Sequence, residues 1–156
     1  MEQILTNTYK MDFKNSNSID GKLKYDECLK LILEIGDQIE LLNKHGIGFL
    51  FITKKDILIK DGKYFLNPKL ETYPTNNNIL EINKPFKFTK FMAPELKNIK
   101  DLPSNVSYSV AFYNFQNIAV ELLGLDELIQ LNPTKLYFLL KRCSSTNPDY
   151  RIFFYI

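Results

Sequence analysis

The sequence predicts a mainly α-helical α+β fold with one small β-hairpin. Apolar residues recur at helical spacing from about residue 24 to 44. A second apolar run, residues 110–123, is long enough for about four helical turns. The dipeptide Asp61-Gly62 between two short apolar runs is a hairpin signal. With 156 residues, 45% of them apolar, the chain is expected to form a single domain with a packed core.

Charge and cysteine content exclude several classes of function. The net charge is +2 and the basic residues are scattered, which argues against binding to nucleic acid or to an anionic membrane. Cys28 and Cys143 both lie in helical apolar patterns, so we expect buried, reduced thiols. The first residues do not have the pattern of a signal peptide. A cytoplasmic location is therefore expected.

The first half of the chain is expected to begin with a linker, followed by a helix and the hairpin. Residues 1–23 are polar and weakly patterned, with an extended segment predicted at residues 4–11. The helix at residues 24–44 should end at Gly46, because glycine stops helices. Two apolar runs, residues 48–52 and 56–59, come next, and residues 63–66 form the returning strand of the hairpin.

The second half is expected to contain a long loop and two further helices. Residues 67–90 include three prolines and three successive asparagines, which predicts an irregular segment. Residues 110–123 are apolar on almost every side and predict a buried central helix that stops at Gly124. One turn is predicted at residues 126–131 and a helix at 134–143, and the terminal aromatics at 151–156 should pack back on the domain.

A series of motifs resembles the C-terminal lobe of protein kinases. Phe91-Met-Ala-Pro-Glu95 looks like the Ala-Pro-Glu motif that closes the kinase activation segment. Features in the family's order surround it: Gly46-Ile47 and Ile57-Leu58-Ile59 upstream, then the helix at 110–123, the Leu139–Cys143 stretch, Asn147-Pro148 and Arg151. The resemblance implies a kinase-like lobe at residues 24–156, preceded by a remnant of the hinge at 1–23. It also implies that Glu95 and Arg151 form a largely buried structural ion pair.

The residues needed for phosphoryl transfer are replaced at the positions that the resemblance assigns to them. Aligned without gaps, the replacements are Phe49, Leu50 and Phe51 at His-Arg-Asp, Thr53 at the phosphate-contacting lysine, Asp56 at a metal-ligating asparagine, and Asn67-Pro68-Lys69 at Asp-Phe-Gly. Ala111 replaces the aspartate that anchors the catalytic loop, and we expect that a loop with nothing to align needs no anchor. Residues 1–23 contain no glycine-rich loop. The N-terminal lobe is therefore expected to be absent.

These replacements predict an inactive, truncated pseudokinase with no cofactor that acts by binding a protein partner. Phe49, Phe51 and Phe65 could fill the empty site from within, or present an apolar patch to a partner or a second copy. Asp56 and Asn67 preserve one carboxylate and one amide, but are expected to be polar residues at turns rather than metal ligands. His45, the only histidine, is expected to be a solvated residue at a helix end.

Two other functions remain open at this stage. The chain could be one half of a split kinase or a nucleotide- or metal-binding module, with a second chain supplying the missing parts. It could also have a purely structural role, such as that of a virion component. Trimmed kinase-like proteins rich in Asn, Ile and Lys are reminiscent of large DNA viruses, which would suggest a viral origin. The expected location would then be the host cytoplasm or the virion.

Overall fold

The computed structural model describes residues 1–153. They form a mixed α+β fold with four α-helices and two antiparallel sheets. The helices are α1 (Glu2–Tyr9), α2 (Tyr25–Lys44), α3 (Phe115–Leu123) and α4 (Lys135–Cys143). The strands are β1 (Asn17–Ser18), β2 (Ile47–Gly48), β3 (Ile57–Lys60), β4 (Lys63–Leu66), β5 (Tyr73–Asn76), β6 (Ile79–Ile82) and β7 (Ser104–Ser107).

Helix α2 confirms the helix predicted at residues 24–44 and supplies much of the core. At its first turn the Glu27 carboxylate accepts a hydrogen bond from the Lys24 backbone N–H at 2.8 Å. Its buried apolar face consists mainly of Leu31, Ile32, Ile35, Ile39 and Leu42. It ends at Lys44, just before Gly46, whose φ of +79° is a conformation that glycine adopts without strain.

The first sheet, of order β1-β3-β4, contains the predicted hairpin. Asp61 and Gly62 both have positive φ, 50° and 72°, as a two-residue primed turn requires. The buried Gln38 of α2 completes the outer edge of β4: its amide donates to the Tyr64 carbonyl at 2.8 Å and accepts from the Leu66 N–H at 2.9 Å. The hairpin is thereby fixed to α2 by hydrogen bonds as well as by packing.

The second sheet, of order β2-β5-β6-β7, corrects the prediction of an irregular segment at residues 67–90. Strands β5 and β6 form a hairpin around Asn77 and Asn78, whose φ angles are 49° and 63°. Asparagine tolerates this left-handed conformation better than most residues, so the run of asparagines is a hairpin turn. In β6, Leu80 and Ile82 are buried and alternate with exposed residues, as expected of a strand with one face on the core.

The N-terminal segment also differs from its prediction. Residues 2–9 form helix α1 rather than part of an extended segment, and Leu5 is fully buried against the main core. An isolated helix of eight residues is unstable in water, so packing rather than intrinsic propensity must stabilise it. The extended part of this segment is limited to β1, which pairs with β3.

The central helix is shorter than predicted but buried as expected. A 3₁₀ turn occupies Tyr108–Phe112, and α3 begins only at Phe115. It ends at Gly124 in the predicted left-handed conformation, with φ of 65°. The predictions of one turn before α4, of α4 itself and of two buried free cysteines are also confirmed. Of the terminal aromatics, Phe153 stacks on Phe112 at 5.2 Å between ring centroids, and 154–156 lie outside the described residues.

Candidate functional site

The fold brings the two predicted site segments, residues 49–56 and 67–69, next to each other. They lie at the same end of the β3–β4 hairpin, where the Asn67 N–H donates to the Asp56 carbonyl at 2.8 Å. The first segment leads from β2 into β3, and the second begins where β4 ends. The positions that the kinase resemblance assigns to the catalytic loop and the metal motif are therefore neighbours in space.

Aromatic side chains at these positions fill the interior. Phe49 is completely buried and Phe65 is nearly so, which leaves neither available as a surface patch. Leu50 is buried in a second apolar cluster together with Tyr73 and Leu80. Only Phe51 is partly exposed. Phe49 and Phe65 are therefore part of the interior, and of the three phenylalanines only Phe51 is exposed enough to contact another molecule.

The polar groups of the two segments are used to cap turns. The Asp56 carboxylate accepts hydrogen bonds from the N–H and the hydroxyl of Thr53, both at 2.8 Å. The Asn67 side-chain oxygen accepts from the Lys69 N–H at 3.0 Å. Pro68 lies between them, half-buried. Within residues 1–153 no group of three His, Cys, Asp or Glu side chains is arranged to hold a metal ion.

A buried asparagine anchors the loop at residues 49–56. Ala111 is buried and has no side-chain polar group, as the sequence implies. The Asn114 side chain, one helical turn later, donates to the Ile52 carbonyl at 2.8 Å, and its oxygen accepts from Asn117 at 2.9 Å. The expectation that this loop needs no anchor is therefore wrong. The sequence signal for the anchor was a polar residue inside an apolar run.

A pocket of about 320 Å³ lies between this loop and helix α3. Its apolar wall consists of Phe51, Phe91 and residues of α3 such as Ile118. A salt bridge between Lys54 and Glu121, 3.2 Å long, lies beside it. Phe91, from the segment that resembles the end of a kinase activation segment, is 43% exposed. The pocket can accept an apolar group next to a charged pair.

The N-terminal segment covers the neighbouring face of the β3–β4 hairpin. The rings of Tyr9 and Phe13 contact Phe65 edge-on, with centroid distances of 5.7 and 6.1 Å. The Lys60 ammonium holds the segment in place by contacts to the Asp12 carboxylate at 2.6 Å and to backbone carbonyls. The face of the hairpin that carries Phe65 is thus occupied by the chain's own first residues.

The β5–β6 hairpin is fastened to the C-terminal half of α2. The Asn43 amide donates to the Asn78 side-chain oxygen at 2.7 Å, and the Tyr108 hydroxyl donates to Glu40 at 2.7 Å. Burial, together with the hydrogen bond to Glu40 and its negative charge, raises the pKa of Tyr108. The first contact joins the turn of this hairpin to α2, and the second joins Tyr108, which follows β7, to the same helix.

Glu95 and Arg151 form the ion pair predicted from the sequence. Two parallel hydrogen bonds of 2.5 and 2.8 Å join the guanidinium to the carboxylate. The Arg151 side chain is fully buried, and it also donates to the carbonyls of Ser145 and Thr146. The guanidinium lies 5.1 Å from the centre of the Tyr113 ring. The pair joins the segment before β7 to the C-terminal end of the described chain.

One further prediction concerns His45. His45 is exposed at the C-terminal end of α2, where its ring nitrogen lies 2.9 Å from the Leu41 carbonyl, as predicted. Within the described range no helix combines the length and the apolar character needed to cross a membrane.

Comparison with known proteins does not extend this description. No family model matches the chain, and no curated protein matches it either.

Proposed function

We propose that this chain is a catalytically inactive, kinase-like C-terminal lobe, a pseudokinase, that acts by binding another protein. The observation that carries the proposal is Phe51. The resemblance assigns to this position the aspartate that accepts the proton of the substrate hydroxyl, and a phenyl ring cannot accept a proton.

The order and packing of the elements support the kinase-like part of the proposal. A long helix leads into a short strand, a loop and a hairpin, and a buried helix follows the Ala-Pro-Glu motif. The bidentate pair between Glu95 and Arg151 has the partners and the burial that the resemblance implies. The contact of α2 with both the hairpin and α3 places the helices around one core.

The inactivity of the site is supported by the use of its polar groups. The side-chain oxygens of Asp56 and Asn67 each accept a hydrogen bond within a turn. We therefore do not expect these two residues to act together as ligands of a metal ion that holds a phosphate. Helix α1 and the residues after it cover the hairpin face next to these positions. A nucleotide at this face would have to displace Tyr9 and Phe13, at the cost of their packing on Phe65.

The pocket beside α3 is the surface that we assign to the partner. It combines a partly exposed aromatic wall, Phe51 and Phe91, with the Lys54–Glu121 pair beside it. Protein interfaces concentrate their binding energy in such aromatic pockets surrounded by polar groups. A partner that inserts an apolar side chain here would be held or sequestered without chemical change, as a scaffold, decoy or regulator does.

Two measurements test the inactive half of the proposal. A thermal-shift titration with ATP and Mg²⁺ should produce no stabilisation. A shift equivalent to about 2.7 kcal/mol at a hundredfold excess over Kd would show real ligation and overturn the inactive assignment. Introducing the aspartate, Phe51→Asp, should give no phosphotransfer to a general substrate, because the metal ligands are also absent.

Partner binding is tested with a matched pair of surface variants. Phe91→Glu removes one of the two aromatic rings of the pocket wall, whereas Phe138→Glu changes a phenylalanine of similar exposure on α4. Partners identified by cross-linking in cells should be lost with Phe91→Glu and kept with Phe138→Glu. Equal retention by both variants would show that the pocket is not the binding surface.

A further inference from the structure

Strand β7 ends the second sheet with an open edge. It pairs with β6 over four residues, from Ile79 opposite Ser107 to Ile82 opposite Ser104. Among the described residues, no second strand pairs with its other side. At the opposite end of this sheet β2 is only two residues long, with Gly48 buried, so β7 is the longer of the two edge strands. An open edge presents backbone N–H and C=O groups that need a partner.

The four residues of β7 lack the charge and the proline that commonly prevent edge pairing, and Pro103 stands just before the strand. Its residues, Ser-Asn-Val-Ser, include no charge and no proline within the strand. Natural edge strands are usually protected by lysine, proline, a bulge or a covering loop. Asn105 at the middle of the strand is exposed. This edge is therefore open to another extended strand.

We infer that β7 is a self-association edge, at which β7 of a second copy adds antiparallel to form a continuous eight-stranded sheet across a two-fold axis. This goes beyond the partner pocket beside α3, which shares no residue with β7. A neutral strand can pair with its own copy without placing like charges opposite each other.

An exposed apolar residue at one end of β7 favours a second copy over an unrelated strand. Leu102, 41% exposed, precedes the strand by two residues. An antiparallel two-fold places the beginning of one strand beside the end of the other. Leu102 of each copy then approaches the Ser107 end of its partner's strand, so the same apolar contact is made twice.

The expected dimer is weak, because a pair of four-residue strands buries little area. Sedimentation velocity of the full chain should show a reversible monomer–dimer equilibrium at high micromolar concentration. In parallel, hydrogen exchange at the backbone amides of 104–107 should slow as the concentration rises, because the outward N–H groups become bonded. Dimerisation through the pocket beside α3 would give the same sedimentation result but would not protect the amides of 104–107, so the exchange measurement identifies the edge.

A matched pair of lysine variants identifies the edge. Asn105→Lys introduces a charge at the centre of the edge and should raise the dimer dissociation constant roughly tenfold or more. Asn83→Lys makes the same change at an exposed position just after β6 and should leave it unchanged. A strictly monomeric wild type, or a dimer that tolerates Asn105→Lys without protection of 104–107, would overturn the inference. Loss of partner binding with Phe91→Glu would be a separate result.

Discussion

Removing the charge of Glu95 should be among the most damaging single-atom changes in this protein. The variant Glu95→Gln keeps the shape of the side chain but replaces one carboxylate oxygen by an NH₂ group. The Arg151 guanidinium, whose side chain is fully buried, would then face a neutral amide with a donor where it needs an acceptor. One of the two short hydrogen bonds, at 2.5 and 2.8 Å, would become a donor–donor contact.

The magnitude follows from the unequal burial of the two partners. Removing one member of a buried ion pair costs about 3–5 kcal/mol, because the other charge is left uncompensated. The Glu95 side chain is 21% exposed, so water can solvate part of the site. The carbonyls of Ser145 and Thr146 also continue to accept from Arg151. We therefore expect a loss of about 3 kcal/mol, at the lower end of this range.

Urea denaturation followed by circular dichroism measures this loss. The matched control is Glu71→Gln, which removes the same charge from the Lys84–Glu71 salt bridge, whose side chains are 40% and 61% exposed. Exposed pairs contribute about 0–1 kcal/mol, so the control should change the unfolding midpoint little. The slope of the transition should be the same for both variants, since neither changes the surface exposed on unfolding.

A double-mutant cycle decides whether the loss comes from the pair itself. Arg151→Met should also destabilise strongly, because it leaves the Glu95 carboxylate without its partner. The double variant should be less destabilised than the sum of the two single variants, since neither charge then remains unpaired. If Glu95→Gln costs less than about 1 kcal/mol, or if the two losses simply add, the pair does not have the architectural role argued above.

Three further predictions use the same measurement. Asn114→Leu should destabilise by about 1–3 kcal/mol, because it leaves a buried loop carbonyl without its donor, and an unchanged midpoint would refute the anchor. Tyr108→Phe should cost about 1 kcal/mol, the value of one hydrogen bond, and should have no effect if Glu40, the acceptor of that bond, is already changed to Ala. Burial raises the pKa of Cys28 and Cys143 to about 12. Their contribution to the free energy of unfolding is therefore fully present below about pH 9, the usual thiol pKa, and is lost as the pH rises towards 12. A free energy of unfolding that stays constant over this pH range would contradict the prediction.

The parts of the fold that the sequence predicts are those determined by local patterns. Helix α2 has a continuous apolar face, and the β3–β4 hairpin has a turn sequence that few other structures accept. The ion pair of Glu95 with Arg151 is predicted in a different way, from the order of motifs that resembles the kinase family. No local pattern in this sequence indicates that these two residues pair.

The features that escaped prediction depend on contacts between distant residues. Helix α1 is short and exists because Leu5 is buried by other elements. The Asn114 anchor depends on a contact with the Ile52 carbonyl, which lies 62 residues earlier in the chain. The β5–β6 hairpin is a partial exception, since Asn77-Asn78 is a possible turn signal. The prolines around it favoured a loop instead.

The replaced positions also explain why restoring one catalytic residue is not expected to restore activity. Residues at or beside the positions that the kinase resemblance assigns to phosphoryl transfer serve packing or a turn: Phe49 and Phe65 occupy the interior, and Asp56 caps a 3₁₀ turn together with Thr53. An aspartate at position 51 would acquire neither a metal nor a positioned phosphate, because catalysis of this kind depends on all of these groups acting together. If the proposal is correct, the substitutions have converted a reaction site into a rigid support, and the surfaces left for function are those at its borders, the pocket beside α3 and the open edge of β7.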